Sequence, residues 1–244
     1  MGDRIRTTHA GSLPRPAELT ALHARRFAGE LIDVDEFVAR SRQATIDVVR
    51  RQNEIGIDEI NNGEVGRESF FTYVRHRMSG FSGQSHRPPM RDLVKYPHYL
   101  NYLQRTAIAG DSVSLLSPPQ ATGPIVYGDT AAIDAECAEL AQALRAIGKA
   151  SNEAFVPSPS PGTTLVAGAI DTTTNYVEHP DTVADRLVHI ARALDDPRRL
   201  IAGTDCGFET SAGFASVVDE IAWQKLASLV EGARRASRML FGGH

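Results

Sequence analysis

Leu200-Ile201-Ala202-Gly203-Thr204-Asp205-Cys206-Gly207-Phe208 is the stretch from which the fold is read. An apolar run ends in a small-residue turn, and a cysteine sits at that turn. A short apolar run bounded by glycine has the character of a buried strand. In α/β proteins the carboxyl ends of such strands carry the chemistry. Cys206 is one of two cysteines in the chain. Asp205 lies beside it, and Gly207 lets the backbone turn closely around whatever the sulfur holds. A thiolate ligand or nucleophile fits this stretch, and so does a small buried residue at a strand end.

Outward from this strand, helices and strands alternate. Asp181 to Leu194 carries Val183, Leu187, Ile190 and Leu194 on one face, which is helical spacing. A last helix, roughly Val217 to Leu240, has Ala222, Leu226, Leu229, Ala233 and Leu240 on one side. At the other end, Ile5 to His9 has strand-forming residues and stops at Ala10-Gly11-Ser12-Leu13-Pro14-Arg15-Pro16, a Gly/Pro loop. Backbone amides around Gly11 and Ser12 suit a carboxylate or phosphate; a plain turn fits as well. Arg15, between two prolines, is either an anion partner or a solvated surface residue. Asp35 to Ile55 has helical spacing and stops at Gly56. Ile57 to Glu64 then has the pattern of a strand running into a polar turn, with Glu64 and Arg67 at its exit. This βα rhythm favours an α/β fold.

The middle of the chain is less regular. Phe70 to Tyr102 interleaves rings and bases, among them Tyr73, Arg75, His76 and Arg77. Such a run can clamp a planar anion, pin a loop to its domain, or form an oligomer contact. Ser112 to Leu116 and Glu153 to Val156 are short strand candidates. Ile133, Cys137, Leu140, Leu144 and Ile147 form one helical stripe, which predicts a core place for Cys137. Thr163 to Asp171 is a strand candidate separated from Glu153 to Val156 only by a Pro/Ser/Gly turn. A parallel crossover needs a dozen or more residues, so this pair is either a hairpin or the scar of a missing segment.

Composition narrows the function. The 244 residues carry a formal charge of -4, whereas nucleic-acid binders usually show a basic excess. Two cysteines far apart suggest no disulfide framework, and a cytoplasmic setting is expected. The chain's first residues lack a signal-peptide core, and no apolar run reaches bilayer length. Neither nucleic acid nor membrane is expected as a partner.

Together, Thr7 to Arg15, Gly56-Ile57-Asp58 with Asn62-Gly63-Glu64-Val65, Glu153 to Val156, Thr174 to Pro180, Thr204 to Phe208, Ala222 to Leu226 and Glu231 to Arg234 resemble the cobalamin-independent methionine synthase family in its short, C-terminal-domain-like form. The motifs cover nearly the whole chain in the family's order. The resemblance implies a single domain over residues 1–244, a (β/α)8 TIM-barrel-like α/β fold. It implies a zinc-dependent transferase of methionine biosynthesis, a methyltransferase moving a methyl group from a folate such as methyltetrahydrofolate to the thiol of homocysteine. Zinc lowers the pKa of that thiol, so a thiolate attacks at neutral pH. The epoxyalkane:coenzyme M transferases look like relatives that use the same thiol activation. Carried over by position, Cys206 matches a zinc ligand, Gly11 and Ser12 match the loop receiving the amino-acid carboxylate, and Glu64 matches the acid holding the amino group. Asp205 would tune the site as a catalytic neighbour.

The chain also departs from that pattern. Between Gly162 and Val166 it lacks a stretch holding two further strands, a His-x-Cys pair of zinc ligands, a ligating glutamate and a substrate-facing aspartate. The barrel is thus expected to be shortened by about two βα units. A catalytic zinc needs about three protein ligands; His9 and Glu64, at predicted strand ends, are the substitutes available beside Cys206. Unpaired edges would leave a distorted barrel or a homo-oligomer covering the gap. Two functions stand: a methyl (alkyl) transferase acting on a small thiol such as homocysteine, or a catalytically inactive shortened relative that keeps the fold and binds a small amino acid or a partner protein.

Overall fold

A computed structural model describes residues 4–83, 94–99, 101, 105, 113, 119–128, 130–149, 164–194 and 196–242. Strand β5 (Leu200–Thr204) is buried along its whole length. It lies between β1 (Arg6–Thr7) and β4 (Leu165–Ile170), both parallel to it, in the order β1-β5-β4. A strand flanked on both sides and covered on both faces needs a continuous apolar sequence, which Leu200-Ile201-Ala202 supplies. The sheet is α/β and parallel, but it does not close into a barrel among the described residues.

Helix α2 (Val34–Ile55) starts where the Asp33 carboxylate accepts the amides of Asp35 (2.9 Å) and Glu36 (3.1 Å) and stops at left-handed Gly56. Helix α4 (Pro180–Ala191) begins with a proline in its first turn, where no donor is lost. It packs on α5 (Asp219–Phe241), which also covers β1, β4 and β5. Gly232 permits that packing: a Cβ there would lie 2.5 Å from Val183 Cγ1. Leu187, Leu226 and Leu229 are fully buried in this layer, and each such side chain contributes about 2 kcal/mol of transfer free energy.

Helix α1 (Ala17–Phe27), which the sequence reading did not anticipate, buries Leu19, Leu22 and His23 and leans on α2. Strands β2 (Met78–Ser82) and β3 (Gln120–Tyr127) pair antiparallel outside the main sheet. Their pairing joins residues about 40 apart, beyond any local signal. Helix α3 (Ala131–Ala146) packs on α2.

Two expectations are corrected. Ile57 to Glu64 is not a regular strand. Ile57 and Ile60 are buried as expected, and Glu59 donates to the Thr7 carbonyl at 3.0 Å. The next position of the ladder, however, is taken by a side chain: the Thr7 amide donates to Asp58 Oδ2 at 2.9 Å, and the Asp58 amide to Thr7 Oγ1 at 3.2 Å. Cys137 is exposed rather than in the core, because α3 buries only Ala143 and Leu144 near its carboxyl end. The strand candidates Glu153 to Val156 and Ser112 to Leu116, apart from buried Val113, lie outside the described residues.

Candidate functional site

The loops leaving β1, β4 and β5 meet at the carboxyl end of the sheet. Thr204 Oγ1 accepts the Ala10 amide at 3.1 Å, and the Ser12 carbonyl accepts the Phe208 amide at 2.8 Å. Between these ties the two loops touch backbone on backbone. A Cβ on Gly11, whose φ is +72°, would lie 2.8 Å from the Gly207 nitrogen and 3.8 Å from the Cys206 carbonyl carbon. Glycine at both positions thus brings Gly11, Ser12 and Cys206 into one neighbourhood.

The third wall is the turn Asn61–Arg67. Asn61 Oδ1 accepts the Gly63 amide at 2.8 Å, and Asn62 Oδ1 accepts the Glu64 amide at 3.1 Å. These bonds hold Gly63 at φ 59° and Glu64 at φ 51°. Glu64 is the one non-glycine residue with positive φ among the described residues. A left-handed conformation at such a residue costs about 1 kcal/mol and concentrates at functional sites. Its carboxylate crosses to the first loop, where Ser12 Oγ donates to Glu64 Oε2 at 2.9 Å. Glu64 Oε1 accepts from Arg67 Nη1 at 3.0 Å. The flanking amides are occupied: Ala10 donates to Thr204, and Leu13 to the Gly63 carbonyl at 2.9 Å. The amides of Gly11 and Ser12 between them have no partner among the described residues. Two adjacent free amides around a left-handed glycine are suited to a carboxylate.

Buried polar groups support this face from below. The Arg15 side chain is fully buried and holds the Glu64–Arg67 turn by its carbonyls: Nη2 donates to Glu64 O (3.2 Å) and Arg67 O (2.9 Å), and Nη1 to Glu209 O (2.8 Å). Its charge is met by Glu209 at 3.3 Å. Of the two sequence readings of Arg15, the anion partner holds, the anion being the protein's own Glu209, and the solvated surface residue does not. Gln52 accepts from the Asn61 amide at 3.2 Å and donates to the Asn61 carbonyl at 2.7 Å. Its oxygen also receives His9 Nε2 at 3.1 Å. Burial pushes the His9 imidazole down to about 4, so it is neutral at pH 7.

Asp205 accepts the Thr172 amide (3.0 Å) and hydroxyl (2.8 Å) through Oδ1, tying the loop after β4 to the site. Asp171 is locked to Thr173 and Thr174, whose hydrogen bonds hold its carboxyl below the usual range. Glu178 and Lys225 form a buried pair at 2.9 Å on the α5 side. Glu178 also takes the Asp171 amide at 2.9 Å. Both residues fall within motifs of the resemblance, which assigns a role to neither.

Of the ring-and-base run Phe70 to Tyr102, residues 84–93, 100 and 102 lie outside the described residues, and the stacking contacts fall around Tyr73 and Arg75. Arg67 and Arg77 both lie over the Tyr73 ring, 5.0 and 5.1 Å from its centroid, and Arg75 lies over Phe27 at 4.8 Å.

The zinc that the resemblance implies does not fit the described side chains. Cys206 is an exposed thiol. His9 is wholly buried against Gln52, and Glu64 is engaged by Ser12 and Arg67. Among the described residues no three His, Cys, Asp or Glu side chains come together to hold a metal ion.

Comparison with known proteins locates this arrangement. Residues 5–88, which hold the Gly11-Ser12 loop and Glu64, match the family described as cobalamin-independent synthase, catalytic domain. The "Probable 5-methyltetrahydropteroyltriglutamate--homocysteine methyltransferase" of Schizosaccharomyces pombe is 39% identical over 75 residues. The 5-methyltetrahydropteroyltriglutamate--homocysteine methyltransferase of Mycobacterium bovis (strain BCG) is 35% identical over 75 residues. Each match takes in 31% of this chain and 10% of the relative, so the chain matches about a tenth of the length of these proteins. In fold, the chain is similar to a B12-independent methionine synthase from Shewanella sp. W3-18-1, solved in complex with selenomethionine. The TM-score is 0.61 at 16% identity, covering 98% of this chain and 99% of that one. The protein is an α/β chain with a parallel sheet of the kind on which such synthases are built. Its residues 5–88 resemble the catalytic-domain family of cobalamin-independent synthases, and the curated relatives above are matched over only a tenth of their length.

Proposed function

We propose that this chain is a shortened relative that keeps the amino-acid end of the fold, over one barrel-like domain spanning residues 1–244. It binds a small α-amino acid of the methionine or homocysteine kind without a complete zinc site of its own. The observation that carries this is the Ser12–Glu64 bond at the carboxyl end of the sheet, made by a glutamate held in left-handed conformation. A bound amino acid would place its ammonium on the Glu64 carboxylate and its carboxylate on the Gly11 and Ser12 amides. Charge-assisted bonds at both ends would fix its orientation. The Shewanella protein was solved in complex with selenomethionine, an amino acid of this class.

A second reading is favoured by Cys206, whose thiol is exposed beside Gly207 on the same face. It is the family's zinc-dependent transfer of a methyl or alkyl group to the homocysteine thiol, with methyltetrahydrofolate as donor. It would require ligands from another segment or from a second copy in a homo-oligomer. A cytoplasmic setting suits either reading. No helix among the described residues is long and apolar enough to cross a membrane.

Titration calorimetry with L-methionine and L-homocysteine tests the first reading. Saturable binding that weakens at least about tenfold in Glu64→Gln is expected from loss of one charged partner. Absence of binding in the wild-type chain, or equal binding in Glu64→Gln, would overturn it.

A further inference from the structure

Glu64 does not hold its position alone. Arg67, which binds Glu64 Oε1 through Nη1, turns its other edge to Glu136 of α3. Nη2 donates to Glu136 Oε2 at 2.7 Å, and Nε lies 3.2 Å from both carboxylate oxygens. Arg77 pairs with Glu136 Oε1 from the far side. Charges therefore alternate along a line from the site to the start of β2: Glu64, Arg67, Glu136, Arg77. All four side chains are mostly buried, with Arg67 and Glu136 each 18% exposed. Burial alone would lower the Arg67 pKa, and the carboxylates of Glu136 and Glu64 outweigh it, leaving it raised. The guanidinium is charged and shared between two acids.

That sharing has a consequence for a cationic ligand. An arginine bound to Glu64 alone would cancel the charge that an ammonium needs. With Glu136 taking two of the guanidinium's three nitrogens, Glu64 stays aimed at Ser12 and keeps attraction for a second cation. We propose that Glu136 is a positioning residue for the amino-acid site: through Arg67 it sets the orientation and the effective charge of Glu64, and so selects ligands that carry an α-ammonium. The inference rests on the amino-acid reading above and deepens it, because it assigns a recognition role to a helix that does not touch the ligand.

The test compares L-methionine with 4-(methylsulfanyl)butanoate, which has the same chain and carboxylate but no amine. Calorimetry is run on wild type and Glu136→Gln, with thermal unfolding to show that the variant is folded. Arg67→Lys, which keeps the charge but loses the two-sided grip, serves as a second variant. The account expects Glu136→Gln and Arg67→Lys to weaken L-methionine about tenfold while leaving the amine-free analogue within about twofold. Equal L-methionine binding in wild type and Glu136→Gln would overturn the positioning role and leave the amino-acid reading intact. An equal loss for both ligands would show a merely structural role and overturn it too. If wild type binds neither ligand, the amino-acid reading falls and the positioning role falls with it.

Discussion

Gly11 and Gly207 face each other so closely that a Cβ on Gly11 would stand 2.8 Å from the Gly207 amide nitrogen, and a Cβ on Gly207 would overlap the Ser12 amide nitrogen. Two loops separated by nearly the whole sequence are thereby stacked backbone to backbone. The stack sets Ser12, and through it Glu64, against the turn that carries Cys206. Gly207→Ala has no room to relax toward either side. Overpacking of this kind costs about 1–3 kcal/mol. The variant is expected to unfold at lower denaturant and to lose amino-acid binding, because the free amides of Gly11 and Ser12 move apart. Unchanged binding in Gly207→Ala would show that the ligand does not sit on this stack.

Two buried histidines set the acid limit of stability. Burial pushes His9 down to about 4, and burial pushes His23 down to about 4 as well. In the unfolded chain each returns to its ordinary value of 6.5. Between those values the unfolded state binds protons that the folded state does not, so stability is full above about 6.5 and falls as pH drops toward 4. Below 4 both states are protonated and this contribution levels off. Each histidine accounts for up to about 3 kcal/mol. Denaturant titrations at pH 7 and about pH 5 check this, and a constant midpoint across that interval would contradict it.

Lys225 and Glu178 lie in the core between α4, α5 and β4, with side chains 0% and 3% exposed. Removing Lys225 leaves the buried Glu178 carboxylate with the half-exposed Arg186, at 3.9 Å, as its cationic partner. Lys225→Met is expected to destabilise the chain by about 3–5 kcal/mol, whereas replacing both partners with apolar residues of similar volume should cost far less. Urea unfolding of the single and double variants measures the difference. A small effect in Lys225→Met would mean that water reaches Glu178.

The parts of this fold legible in sequence are those whose signals are local. The apolar run Leu200-Ile201-Ala202 and the glycines after it are enough to place β5 and the loop at its end. Helices α2, α4 and α5 follow from their stripes to within a few residues. Gly11, Ser12, Glu64 and Cys206 fall on one face because each ends a segment that runs toward that face. What escaped the sequence depends on distant partners. Arg15 is read between prolines as stiff, yet its burial is decided by Glu209, 194 residues away. The β2–β3 pair and the Arg67–Glu136 contact join positions 38 to 69 residues apart. Helix α1 carries a polar histidine on its buried face, where His23 Nε2 reaches the Val65 carbonyl at 3.0 Å, 42 residues away.

The zinc content of the purified chain, measured by elemental analysis alongside Cys206→Ser and paired with L-methionine binding before and after chelation, tests the central claim most directly. The account predicts far less than one zinc per chain in both forms and amino-acid binding indifferent to chelator, because among the described residues no three His, Cys, Asp or Glu side chains come together to hold a metal ion. About one zinc per chain, lost in Cys206→Ser and required for binding, would contradict it and restore the methyl-transfer reading.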